Sequence, residues 1–155
     1  MLDLMDQLNG MILPGGNVNL VNKDGFLHPF TEKSILIINK AKELNNRGIH
    51  FPIWGVCQGI QQMAVVEAPF YETIKLGTAD AYDVATTIKF VSDPTESKLY
   101  RNAPRYLLTA LERENITYNA HHDCLMPDIF FKIEALRDYK VVANCIDKSG
   151  VEYVS

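Results

Sequence analysis

The chain has 155 residues, of which 47% are hydrophobic and 22% charged, and its formal net charge is −4. This length predicts one domain with a sizeable core, and the composition excludes disordered and fibrous classes. The acidic balance, without a cluster of Lys or Arg, argues against binding to nucleic acid or to an anionic membrane surface. Three cysteines do not make a disulfide framework, and the apolar runs are too short to span a bilayer.

The first half of the sequence alternates between short apolar strands and amphipathic helices. Apolar residues near the start indicate the last turns of a helix, which Asn9-Gly10 ends. The pattern then predicts a strand at 11–13, a helix with apolar positions from 30 to 44, a strand at 51–56 and a helix at 58–67. This alternation is typical of a parallel sheet covered by helices.

The second half is less regular but contains the same kinds of element. Alternating and β-branched residues predict strands at 84–90, 116–119, 139–146 and 151–154. Helices are predicted at 96–100 and 104–113, where Pro104 suits a first turn. Since no repeat or linker interrupts the pattern, we expect a single α/β domain over residues 1–155.

Gly55-Val56-Cys57-Gln58-Gly59 lies between a predicted buried strand and a predicted helix. This is the cysteine form of a nucleophile elbow, a turn so sharp that its flanking positions must be small. Such a turn places the sulfur at a helix N-terminus, which favours the thiolate that attacks acyl groups. The alternative interpretation is a buried structural cysteine beside two loop glycines.

Pro14-Gly15-Gly16 follows the preceding strand directly. Ligands of an open parallel sheet bind beyond the carboxyl ends of its strands, so this loop and Cys57 are expected to open on one crevice. A backbone N–H of the loop, together with that of Gln58, would then supply two donors for a developing oxyanion. Taken alone, the tripeptide is only a turn.

His121-His122-Asp123 follows a predicted strand, which would bring it to the same carboxyl edge. A thiol nucleophile needs an imidazole to take or return a proton, and His121 or His122 is the candidate. A polar loop turn is an equally good interpretation. Cys124 and Cys145 lack the paired spacing of zinc ligands, so neither a metal nor another cofactor is expected. Asn115-Ile116-Thr117 fits the glycosylation sequon, which also arises by chance.

The sequence resembles the γ-glutamyl hydrolases (folate polyglutamate hydrolases), a branch of the class I glutamine amidotransferase-like superfamily. The matching stretches occur in the family's order and cover residues 9–16, 51–59, 79–85, 119–122 and 149–155. The resemblance implies an open, mostly parallel sheet with helices on both faces, of the flavodoxin-like kind. It also implies a cysteine hydrolase without a cofactor, whose partner is a small γ-glutamyl substrate.

The resemblance assigns a role to each candidate residue. Cys57 would attack the γ-carbonyl and form a thioester, while the backbone amides of Gly16 and Gln58 stabilise the oxyanion. His121 would assist substrate binding or catalysis. Substrate binding would further involve three residues: Gly15, Gln61 and His122. The family is lysosomal, vacuolar or secreted, and the resemblance is compatible with a homodimer.

Two departures from the family pattern keep alternatives open. The family's principal catalytic histidine lies in a Trp-His-Pro-Glu type segment that this sequence lacks, and its first strand and helix are also missing. We therefore expect a fragment truncated at both ends, prone to aggregation when expressed alone. Gln61 stands where γ-glutamyl hydrolases usually have an acid and glutamine amidotransferases have Gln. The alternatives are thus an amidotransferase domain and a catalytically incompetent relative.

Overall fold

The structure is a computed structural model that describes residues 2–21, 24, 26–68 and 77–155. The chain divides into two compact units, which we call unit 1 (Met1–Ile74) and unit 2 (Lys75–Ser155). Both units contain helices and strands, so the predicted α/β class is confirmed. Within the described ranges, no helix combines the length and the apolar character needed to cross a bilayer.

Unit 1 contains a parallel pair of strands in the order that the sequence predicts. Its elements are α1 (Leu2–Met5), β1 (Met11–Leu13), α2 (Pro29–Asn46), β2 (Ile53–Gly55) and α3 (Gln58–Glu67). Ile12 of β1 lies opposite Trp54 of β2. Because parallel strands need a long crossover connection, the helix α2 between them completes a βαβ unit.

One face of this strand pair is buried against helices. Since successive strand residues point to opposite faces, Met11 and Ile53 face inward while Ile12 and Trp54 face outward. The inward pair packs on a buried cluster formed by Met5, Ala41, Leu44 and Phe51. The outward side chains of Ile12 and Trp54 remain 67% and 50% exposed. The helices α1 and α2 therefore cover the inner face of the strand pair.

Asn45 connects the end of α2 to the segment that enters β2. Its Nδ2 donates to the carbonyl oxygens of Ala41 at 2.8 Å and Phe51 at 2.9 Å. Its Oδ1 accepts from the N–H of Phe51 at 3.0 Å. Between Asn45 and Phe51 the chain turns at Gly48, whose φ of 81° lies in the left-handed region that glycine adopts easily. These bonds fix the start of the strand that leads to Cys57.

Unit 2 consists mainly of antiparallel strands. Its elements are β3 (Gly77–Thr86), β4 (Lys89–Phe90), α4 (Arg105–Arg113), β5 (Thr117–Cys124), α5 (Ile129–Lys132), β6 (Ala143–Ile146) and β7 (Glu152–Val154). β3 pairs with β5, and β6 lies between β4 and β7. The register of β3 against β5 shifts on both sides of Ala81, where Asp83 has a positive φ of 51°. This bulge bends β3 beside the histidines of β5.

The two sheets of unit 2 share one hydrophobic cluster. Its buried members are Ala79, Ala81, Ile88, Cys124, Ala143, Cys145 and Tyr153. These residues come from both sheets. Their shared burial therefore joins the β3–β5 pair to the β4–β6–β7 sheet. Cys124 and Cys145 belong to this core, and both are free thiols.

The carboxylate of Asp147 organises the turn between β6 and β7. It accepts from the backbone N–H groups of Asp80 at 2.7 Å, Ser149 at 2.8 Å and Val151 at 2.7 Å. Burial by itself raises the pKa of this carboxyl group, but the three N–H donors outweigh burial and the pKa is lowered. Because Asp80 belongs to β3, the same carboxylate also ties the β6–β7 turn to the other sheet.

The variant Asp147→Ala is expected to lower the stability of unit 2, because three N–H groups lose their acceptor. A lowered folded-state pKa means that this stabilisation is present at neutral pH and is lost as the pH falls through that pKa. Thermal midpoints of wild type and variant should therefore differ at neutral pH and converge in acid. Asp138→Ala, at an exposed carboxylate, is the control. A difference that persists unchanged into acid would contradict the assignment.

The structure departs from the sequence predictions at residues 84–90 and at residues 96–100. The strand predicted at 84–90 is divided into the end of β3 and the short strand β4. Between them, the N–H of Ile88 donates to the carbonyl of Leu111 at 2.9 Å instead of to a neighbouring strand. The prediction of a helix at 96–100 is wrong, since only a short 3₁₀ helix forms at Pro94–Glu96. There the hydroxyl of Ser97 accepts from the N–H of Leu99, a local bond that competes with helix formation.

Candidate active site at the Cys57 turn

Cys57 occupies a strained turn between β2 and α3. Its backbone has φ 52° and ψ −116°, a positive φ that residues with a side chain rarely adopt. Strain of this kind costs about 1–3 kcal/mol and persists only where the surrounding structure enforces it. The geometry is the strand-to-helix turn that the sequence motif predicts, with the sulfur-bearing residue immediately before the first helical residue.

The glycines on either side of Cys57 are required by close backbone contacts. A methyl group at Gly59 would lie 2.1 Å from the carbonyl oxygen of Leu13, and one at Gly55 would lie 2.8 Å from the backbone of Gly59. Both distances are far below contact distance, so any larger residue would force the helix away from the strands. The predicted need for small residues at these two positions is confirmed.

The loop after β1 lies directly beside Cys57. A methyl group at Gly15 would be 3.2 Å from Cβ and 3.6 Å from Sγ of Cys57. One at Gly16 would be 2.9 Å from Oε1 of Gln58. The structure thus brings together four of the predicted site residues, namely Gly15, Gly16, Cys57 and Gln58. Absence of side chains at the two glycines leaves the loop backbone against the thiol.

Gln58 and Gln61 begin α3. Gln58 is its first residue, and the first N–H groups of a helix have no partner within the helix. Such an N–H beside a nucleophile is suited to stabilise an oxyanion. The neighbouring N–H of Val56 is already used, because it donates to the carbonyl of Leu13 at 2.9 Å. Gln61 lies in the same turn of the helix and is buried.

His121 and His122 lie within β5 of unit 2, so the expectation that they follow a strand is wrong. The reason is that β5 continues to Cys124, paired with β3 along its length. His121 is half-buried and packs edge-on against Tyr153, with ring centroids 5.4 Å apart. His122 is exposed and stacks on Tyr82 at 5.2 Å. Their place in unit 2 is therefore set by their position on β5 and by side-chain packing against the two tyrosines.

The imidazole of His121 has a defined hydrogen-bond partner. Its Nε2 lies 3.3 Å from Oδ1 of Asn119, whose Nδ2 donates to the carbonyl of Thr117 at 2.9 Å. This orientation of the amide turns an acceptor oxygen toward Nε2. Burial lowers the pKa of His121, which favours the neutral imidazole that a base requires. Sequence reasoning missed Asn119, although it directly precedes Ala120-His121 in the matching stretch.

The other two thiols are buried in the core of unit 2. Cys124 is 2% exposed and Cys145 is fully buried. Burial raises the pKa of the Cys124 thiol to about 11. Among the described residues, no cluster of three His, Cys, Asp or Glu side chains could hold a metal ion. Cys57, by contrast, is a partly exposed free cysteine.

Together these features define a cysteine nucleophile elbow on a βαβ unit, with a glycine loop of the preceding strand against the thiol. The chain is 29% identical over 153 residues to γ-glutamyl hydrolase B of Dictyostelium discoideum and 28% identical over 152 residues to γ-glutamyl hydrolase of Rattus norvegicus. It is 26% identical over 152 residues to γ-glutamyl hydrolase of Homo sapiens. Each alignment covers 98% of this chain. The resemblance stated from the motifs is therefore confirmed.

The alignments cover a smaller share of the relatives. The chain spans 42% of the Dictyostelium discoideum protein and 45% of the Rattus norvegicus and Homo sapiens proteins. It thus spans less than half the length of the curated relatives it matches. No protein-family model matches the sequence.

Native alkylation with iodoacetamide is expected to modify Cys57 alone, because the thiolate is the reactive form and the other two thiols are buried. Intact-protein mass spectrometry at mildly alkaline pH should show one adduct on wild type and none on Cys57→Ser. Unfolding in denaturant should expose Cys124 and Cys145 and raise the number of adducts per molecule in both proteins. A native adduct that survives in Cys57→Ser would contradict this assignment.

Proposed function

We propose that this protein hydrolyses γ-glutamyl amide bonds through a thioester on Cys57. The observation that carries the proposal is the strained turn at Cys57 with the Gly15-Gly16 loop beside the thiol. Similarity to proteins named γ-glutamyl hydrolase along almost the whole chain supports the bond that is cleaved. The elbow argues for the nucleophile, while the relatives' names argue for the substrate.

The reaction proceeds in two acyl transfers. In the first, Sγ of Cys57 attacks the γ-carbonyl carbon, a C–S bond forms, and the amide C–N bond breaks as the leaving amine takes a proton. In the second, water attacks the thioester carbon, a C–O bond forms, and the C–S bond breaks to release a γ-carboxylate. The backbone N–H groups of Gly16 and Gln58 stabilise the oxyanion of both tetrahedral intermediates.

The remaining assignments are part of the same proposal. His121 assists substrate binding or proton transfer, in line with the pKa of its imidazole, which burial lowers, and its bond to Asn119. Gly15, Gln61 and His122 contribute to substrate binding. The substrate class is folate poly-γ-glutamate, no cofactor takes part, and the compartment is lysosomal, vacuolar or extracellular. A homodimer is compatible with this proposal.

The decisive experiment traps the covalent intermediate. Incubation with a pteroyl-poly-γ-glutamate followed by acid quench should add the acyl part of the substrate to the peptide that contains Cys57. Cys57→Ser should form no thioester and lose at least about 10³-fold in rate, because nucleophile and partners act as a unit. Cys124→Ala, at a buried thiol in the core of unit 2, should keep the wild-type rate per folded molecule.

Two outcomes would overturn the proposal. Glutamate release that is unaffected in Cys57→Ser would exclude Cys57 as the nucleophile. Release of ammonia from glutamine, without cleavage of the poly-γ-glutamate, would favour an amidotransferase. That alternative is consistent with glutamine at position 61 in the first turns of α3.

A further inference from the structure

The side chain of Gln58 bonds to the loop that lies beside Cys57. Its Nε2 donates to the carbonyl of Val18 at 2.5 Å, and its Oε1 accepts from the N–H of the same residue at 3.2 Å. Both polar atoms of the amide therefore form hydrogen bonds with the backbone of the same residue, Val18. The side chain is largely buried, at 9% exposed, although the loop that it reaches is exposed.

The loop is exposed between two buried residues. Residues 14–19 are all exposed and have no regular secondary structure, whereas Leu13 before them and Leu20 after them are buried. Leu20 is anchored to α2, because its carbonyl accepts from the hydroxyl of Thr31 at 2.8 Å and from the N–H of His28 at 3.0 Å. Between these anchors, the amide of Gln58 bonds to Val18 and draws the loop toward the first turn of α3.

The same amide also contacts Gly16. A methyl group at Gly16 would lie 2.9 Å from Oε1 of Gln58, and one at Gly15 would lie 3.2 Å from Cβ of Cys57. The loop backbone therefore rests on two successive residues of the elbow, with Gly15 on Cys57 and Gly16 on Gln58. An apolar side chain at position 58 could fill this space but could not bond to Val18.

We propose that the Gln58 side chain is a positioning residue that holds the Gly15-Gly16 backbone beside the thiol of Cys57. The inference rests on the proposed function, because the loop matters for catalysis only if Gly16 helps to stabilise an oxyanion. It adds a role that differs from that of the Gln58 backbone N–H. The side chain fixes one half of the oxyanion site, while the backbone of the same residue supplies the other.

The test compares Gln58→Met with Gln62→Met. Both replace a buried glutamine of α3 by a residue of similar shape, but Gln62 faces α2 and accepts from the hydroxyl of Ser34 at 3.2 Å. With a poly-γ-glutamate substrate, Gln58→Met should lower kcat about tenfold to 100-fold, because a small displacement of an oxyanion donor is felt in the transition state. KM should change by less than about threefold, as expected when ground-state binding is retained.

Two further measurements separate positioning from loss of structure. The rate of Cys57 alkylation, which needs no oxyanion donor, should stay within about threefold of wild type in both variants, as expected if the turn itself is intact. Gln62→Met should lower the thermal midpoint and leave kcat unchanged. An equal fall of kcat in the two variants, or no fall in Gln58→Met, would overturn the proposal.

Hydrogen exchange tests the loop contact independently of activity. The amide of Val18 should be protected in wild type and in Gln62→Met, and should exchange faster in Gln58→Met because its acceptor is gone. Equal exchange in wild type and Gln58→Met would overturn the inference whatever the activity. Protection of Val18 together with the absence of a Cys57 thioester would instead count against the proposed function alone.

Discussion

The carbonyl group of Leu13 is the point on which the candidate site depends. Its oxygen accepts from the N–H of Val56 on one side of the turn, and it meets the backbone of Gly59 so closely that no side chain fits there. Residues 56 and 59 are thus both held against the end of β1. The two residues between them must reverse direction within a very short span, and the positive φ of Cys57 follows from that constraint.

This constraint explains why the thiol and the glycine loop are neighbours. The loop leaves β1 immediately after Leu13, so an anchor at that residue places the first loop residues beside the turn. Gly15 then lies on Cys57, and the side chain of Gln58 bonds to Val18 further along. Strain at one residue is offset by parallel pairing of β1 with β2 and by helix packing on their inner face.

Unit 2 relies on a different kind of support. Its two antiparallel sheets share one hydrophobic cluster, and the carboxylate of Asp147 joins a turn of one sheet to the backbone of the other. His121 is held on β5 between Tyr153 and Asn119, where burial lowers the pKa of its imidazole. The histidine is therefore positioned on a strand, opposite Ala81 in the bulged part of β3, rather than by a loop.

The sequence by itself determined the βαβ unit and the cysteine turn, because both depend on local signals: apolar runs of strand and helix length, and glycines on either side of Cys57. It also determined the resemblance, since the motifs occur in order along the chain. Only the tertiary structure decided that the helix predicted at 96–100 does not form and that His121 lies within a strand. The same holds for the contact of Gln58 with Val18. These features depend on partners distant in the sequence or on competing side-chain hydrogen bonds, and neither leaves a periodic pattern.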